Sequence, residues 1–144
     1  KRPFILSRSS SRKLSGGRFH SFKAFASEVG QTELTVAELI GLFHKYGENA
    51  LQIISNVDWQ NNDRTLAILL SELKYSIENE MITELSDFLI RRTGRLYFEK
   101  QLADQYANLL NEQLAVWLGL NDGQKTASLN TYLAESNEVL NFIQ

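Results

Sequence analysis

The stretch DRTLAILLSELKYSIENEM, residues 63–81, decides how the chain folds. Leu66, Leu69, Leu70, Leu73, Ile77 and Met81 recur three and four residues apart, the spacing that gathers side chains on one face of an α-helix. Asp63 stands where a carboxylate accepts from the unpaired N–H groups of a first helical turn, and residues 58–62 before it are polar and turn-rich. A long amphipathic helix is therefore expected after Asp63, with the face from Leu66 to Met81 turned inward.

The same pattern extends in both directions. Downstream, Thr83 restarts a helix with Leu85, Phe88, Leu89 and Leu96 inward, loosened at Thr93-Gly94. A helix from about Lys100 to Leu118 carries Leu102, Tyr106, Leu109, Leu110, Leu114 and Trp117 inward and stops at Gly119. Asn121 and Gln124 have capping-box spacing and open a last helix to about Phe142. Upstream, Thr35 and Glu38 form another such box before a helix burying Leu39, Leu42, Phe43 and Tyr46 and ending at Gly47; a short helix over residues 49–56 follows. The fold class expected is all-α, a bundle of about five or six helices behind a short non-helical lead-in.

The first thirty residues read differently. Phe4-Ile5-Leu6 and Lys13-Leu14-Ser15 resemble short extended segments, Gly16-Gly17 marks a turn or a close backbone approach, and a helix from about Phe19 or Ser21 to Val29 ends at Gly30. Residues 1–23 hold seven of the 15 basic residues and no acid, a charge of +7. The remainder sets eight basic residues against all 17 acidic ones, so the overall −2 conceals two differently made segments. The division expected is a lead-in over 1–30 and a helical domain over 31–144.

Composition closes several routes. At 144 residues and 43% hydrophobic content the chain has the size and make-up of one globular domain. No cysteine means no disulfide, thiolate nucleophile or Cys-type metal site, and His20 and His44 alone cannot form a multi-histidine site. No apolar run approaches the roughly 20 residues that cross a bilayer.

Ser15-Gly16-Gly17-Arg18-Phe19-His20-Ser21 is the first candidate for chemistry, because glycines before a helix start let backbone N–H groups and a guanidinium meet an anion. It lacks the order of a phosphate-binding Walker loop and of a dinucleotide fingerprint, and a plain strand-to-helix turn is the competing reading. The second candidate is Glu78, Glu80, Asp87, Arg91 and Arg92; Asp87 and Arg91 are spaced to pair on one helix, and an ion-pair network at a helix junction is the simpler reading. His44 reads as a surface or boundary residue. Trp59 and Trp117 lack interleaved basic residues and read as packing, not as a nucleic-acid platform, and no nucleic-acid partner is expected. The basic lead-in superficially matches a transit peptide or a nucleic-acid arm, but neither explains Gly16-Gly17.

One segment is more specific. Residues 73–94, LKYSIENEMITELSDFLIRRTG, resemble the signature of the C-terminal domain of FAD-dependent glycerol-3-phosphate dehydrogenases and alpha-glycerophosphate oxidases: an acidic-aromatic helix, the pair Glu80-Met81, a Thr83-to-Asp87 step and the Arg91-Arg92-Thr93 end. Residues 39–51 and Trp117-Leu118-Gly119 resemble the family's neighbouring helices, so the likeness covers essentially the whole chain. Leu14 to Lys23 is similar to the end of the family's FAD domain. There Gly16 and Gly17 match two glycines, Arg18 stands for Lys, His20 for Thr, Phe22 for Tyr and Lys23 for Arg, keeping two positive charges and losing two hydroxyls.

The resemblance implies the following expectations. The chain is the last part of a longer flavoenzyme that oxidises sn-glycerol 3-phosphate to dihydroxyacetone phosphate, with oxygen as acceptor and hydrogen peroxide as product. A quinone-linked dehydrogenase of the same family is the alternative, and a free-standing helical interaction module is the alternative from another class. Gly16, Gly17, Arg18 and His20 are the implied FAD contacts, with Arg18 also on the substrate phosphate. Glu80, Asp87, Arg91 and Arg92 are the implied structural network. The chain alone holds no FAD, contains no catalytic base and is inactive. It packs on the parent's FAD and substrate domains and is open to homodimer contacts, in the cytoplasm or at the periphery of a membrane.

Overall fold

The computed structural model describes residues 21–143. Gly16, Gly17, Arg18, His20 and the extended segments expected before them lie outside the described residues. Among those described there are seven α-helices and no strand: α1 (Phe22–Val29), α2 (Val36–Tyr46), α3 (Ala50–Ser55), α4 (Arg64–Glu80), α5 (Arg95–Phe98), α6 (Lys100–Leu118) and α7 (Asp122–Ile143). The all-α class follows the sequence; the count exceeds five or six because α1 lies within the stretch read as the lead-in.

Helix ends are set by local chemistry. Thr35 Oγ1 accepts from Glu38 N at 3.3 Å while Thr35 N donates to Glu38 Oε2 at 2.7 Å, a complete capping box. Asp63 Oδ1 accepts from Leu66 N at 3.0 Å and starts α4. Asn121 and Gln124 exchange bonds of 2.9 and 3.0 Å at the head of α7. At Gly119 a φ of 65° lets Leu120 N reach back to Ala115 O at 2.9 Å, the closure that a Cβ there would strain.

The chain forms two compact units, Lys1–Ser55 and Asn56–Gln144. In the first, α1 packs on α2 through a ring cluster: Phe25 and Phe43 have centroids 4.9 Å apart, and Phe22 lies 6.2 and 6.0 Å from them. In the second, α6 is central, packing on α4, α5 and α7. Leu73, Leu85, Phe88, Leu89, Leu110 and Leu114 are fully enclosed there, and truncation of any of the leucines to Ala is of the class that costs about 2–5 kcal/mol.

Four expectations are corrected. Met81 does not face inward: it is 87% exposed and takes a left-handed φ of 53° as the residue that ends α4. No regular helix starts at Thr83; the helical path resumes at Leu85 and passes into a π-helical turn over Asp87–Arg92. Leu109 and Trp117 of α6 are exposed: Leu109 falls outside the 3.6-residue stripe of Ala103, Tyr106, Ala107, Leu110, Asn111, Leu114 and Ala115, and Trp117, in phase with that stripe, sits in the last turn of the helix and is 39% exposed.

Candidate functional site

The junction between α4 and α5 is where sequence and geometry meet. With α4 ended at Met81, Ile82 drops into the core, and Thr83 N and Oγ1 donate to Asp87 Oδ2 at 3.2 and 3.3 Å. The wide π turn that follows closes when Thr93 donates from N and Oγ1 to Phe88 O, at 3.1 and 2.8 Å. This extra girth buries Phe88 and Leu89 and carries Arg91 and Arg92 to the surface.

The two arginines take different partners. Arg91 donates to Asp87 Oδ1 at 3.0 Å, Glu84 Oε1 at 3.4 Å and Glu135 Oε1 of α7 at 3.1 Å. Arg92 grips Glu80 with two contacts of 3.2 Å. Asp87 and Glu80 thus serve separate cations. Glu135 raises the Arg91 pKa most; burial works against it, and Asp87 and Glu84 add to it. Four carboxylates held by guanidinium groups are fixed acceptors; they clamp α7 and the end of α4 to the π turn.

Beside this clamp, Ile90 and Arg91 of the π turn, Leu96 and Tyr97 of α5, and Glu135, Glu138 and Val139 of α7 line a cleft of about 690 Å³. Its rim is carboxylate-rich and its guanidinium is already bonded. A pyrophosphate or a substrate phosphate does not suit it. Among the described residues there is no group of three or more metal-ligating side chains, and no helix long and apolar enough to cross a membrane.

Three polar arrangements were not legible in sequence. Arg95 donates through Nη2 to Glu72 Oε2 and through Nε to Glu99 Oε2 at 3.0 Å, with its guanidinium carbon 6.0 Å from the Phe88 ring centroid. On α6, Asp104 Oδ1 accepts from Tyr132 at 2.7 Å and Ser136 at 3.2 Å of α7, and Lys100 Nζ bridges Asp104 Oδ2 at 2.6 Å and Ser136 Oγ at 2.5 Å. Tyr106 donates to Asp63 Oδ2 at 2.8 Å, so the residue that caps α4 also ties it to α6. A signal existed for the second: Ser128, Tyr132 and Ser136 repeat at intervals of four on an otherwise polar helix. His44 is exposed, as read from sequence. Trp59 is half-buried, and Arg64 does lie beside it, its guanidinium carbon 5.9 Å from the ring centroid.

Comparison with known proteins supplies what this geometry lacks. A family model described as the C-terminal domain of alpha-glycerophosphate oxidase matches residues 7–125. The chain is 36% identical over 101 residues to an aerobic glycerol-3-phosphate dehydrogenase of Staphylococcus haemolyticus, covering 66% of this chain and 18% of that protein. It is 33% identical over 126 residues to the protein of the same name from Staphylococcus epidermidis, covering 80% of this chain and 22% of that one. The Bacillus subtilis protein of that name is 29% identical over 100 residues, 64% of this chain and 18% of its own length. The chain therefore spans about a fifth of these relatives. No solved structure matches it.

Proposed function

Since this chain belongs to the family described as the C-terminal domain of alpha-glycerophosphate oxidase, we propose that it is the C-terminal helical domain of a longer FAD-dependent enzyme that oxidises sn-glycerol 3-phosphate. The observation that carries this reading is the match over residues 7–125, together with relatives of which the chain covers only 18–22%. Dihydroxyacetone phosphate is the product, and oxygen is the acceptor, giving hydrogen peroxide. The relatives' name, dehydrogenase, favours a second reading in which a quinone takes the electrons.

A flavin bound to the parent would supply the hydride-accepting chemistry for C2 of the substrate, and the base for the hydroxyl proton would come from elsewhere in the parent. The chain's own part is orientation and support. Arg18 is assigned to the substrate phosphate, where a planar guanidinium gives two charge-assisted hydrogen bonds, and Gly16, Gly17 and His20 are assigned to the approach to FAD. Glu80, Asp87, Arg91 and Arg92 keep the helical domain in one shape, on which the parent's FAD and substrate domains pack and through which homodimer contacts form. Alone, the chain is inactive. The parent works in the cytoplasm or at the periphery of a membrane.

An immunoblot of source-cell extract with an antibody to this chain tests the reading. A band several times heavier than 16.4 kDa is expected, and the immunoprecipitated band should release peroxide on addition of glycerol 3-phosphate. Substrate-dependent reduction of a quinone analogue without peroxide selects the second reading. A band near 16.4 kDa overturns both and leaves a free-standing helical interaction module.

A further inference from the structure

The cleft beside the Arg91 clamp has an apolar floor and an acidic rim. Ile90 and Val139 are half-buried in it, and Tyr97 stands over them 60% exposed, next to Phe98 at 89%. Two consecutive large aromatic side chains in water on a four-residue helix are an unusual outlay of apolar surface, and such surface marks contact sites. The floor owes its shape to the π turn, which sets Ile90 beside Arg91 at the cleft wall; turns of this kind recur at functional places.

Charge decides what fits. Arg91 is shared by Glu84, Asp87 and Glu135, and Glu138 takes part in none of the ion pairs among the described residues. Of the charged residues that line the cleft, Glu135 is matched by Arg91 and Glu138 is left over, a net −1, and the neighbouring cations Arg92 and Lys100 are matched by Glu80 and Asp104. A cation is attracted twice, by the Glu138 carboxylate and by the Tyr97 ring face.

We propose that this cleft is the docking site for a basic, apolar-anchored segment of a partner protein. An aliphatic or aromatic side chain of that segment rests on Ile90 and Val139 against Tyr97, and a lysine or arginine beside it meets Glu138. The proposal stands apart from the flavoenzyme reading, since it uses only residues of the second unit and no property of the parent.

The test is titration of the isotope-labelled full chain with two amphipathic peptides of identical apolar pattern, one bearing Lys and the other Glu at its polar positions, followed by amide chemical shifts. The Lys peptide is expected to bind at least about tenfold more tightly than the Glu peptide, moving the amides of Ile90, Leu96, Tyr97 and Val139. Glu138→Lys and, separately, Tyr97→Ala should each weaken it by about tenfold while the helical circular dichroism stays unchanged. Equal affinity for the two peptides, no binding of either, or indifference to both substitutions overturns the proposal. So does concentration-dependent self-association of the chain alone that moves the same amides, which would make a second copy the occupant.

Discussion

Arg95 donates to Glu72 across the interior of the second unit, onto a carboxylate with no exposed side-chain surface and from a guanidinium side chain only 7% exposed. Neither charge has water to fall back on. Arg95→Met is expected to destabilise the fold by about 3–5 kcal/mol, because it strands Glu72. The double variant Glu72→Met with Arg95→Met should recover most of that loss. Urea denaturation of the two single variants, the double and the parent sequence gives the coupling; additive losses would show that the pair does not act as a unit.

Tyr132 and Asp104 fasten α7 to α6, and both ends of the pH scale should loosen them. Burial pushes the Asp104 carboxyl up, but hydrogen bonds from Lys100, Tyr132 and Ser136 outweigh it and leave the pKa below the usual 3.8. A carboxyl lowered on folding stabilises above its ordinary range and stops doing so as pH falls through the lowered value. Burial first, and then the bond to Asp104, raise the Tyr132 phenol above 10, so its contribution is complete below pH 10 and is lost as pH climbs beyond. Tyr132→Phe should cost about 1.5–3 kcal/mol at neutral pH and flatten the alkaline limb, read from melting temperature against pH.

Met81 holds a left-handed backbone with its side chain in solvent. Replacing it by glycine removes Cβ strain without emptying any packing, so Met81→Gly should raise stability by about 1 kcal/mol. A lower melting temperature would mean that the thioether makes a contact in the assembled parent or the free chain that its exposure conceals.

Arg91 is half exposed, and its three ion pairs are open to salt. Arg91→Ala is expected to cost less than about 1 kcal/mol, with the difference shrinking in 1 M salt. In the active parent it should leave KM for glycerol 3-phosphate unchanged while lowering the melting temperature. Altered substrate affinity at constant stability would move Arg91 out of the structural network and into the substrate site.

The helix ends were legible because they are local. Thr35 with Glu38, Asp63, Asn121 with Gln124 and Gly119 each satisfy or release backbone groups within one turn, so four or five adjacent residues contain the whole cause. Leu109 misled because size was weighed above phase; the α6 stripe is kept by Ala103, Ala107 and Asn111, small or polar residues in register, and Trp117, in phase with it, is 39% exposed because it sits in the last turn of the helix. The Glu72–Arg95 pair joins residues 23 apart and the Asp104–Tyr132 bond residues 28 apart, and nothing in either local segment announces the other. The π turn was invisible for a similar reason: Asp87 to Arg92 has ordinary helical content, and its width is drawn out by Thr93 closing on Phe88 and by Arg91 reaching α7.

The underside of α7 is built from Ser128, Tyr132 and Ser136, fully or nearly enclosed, and Ser128 receives the backbone N–H of Leu85 at 2.9 Å. Such a face is keyed, not greased. Sliding the helix one turn along its axis would misalign every one of these directional bonds at once, so α7 has a single register where a leucine seam would tolerate several. The same polarity governs departure: when α7 lifts away in a local opening, the hydroxyls of Ser128, Tyr132 and Ser136 exchange their fixed partners for water, while Leu129 and Val139 leave the core beside them.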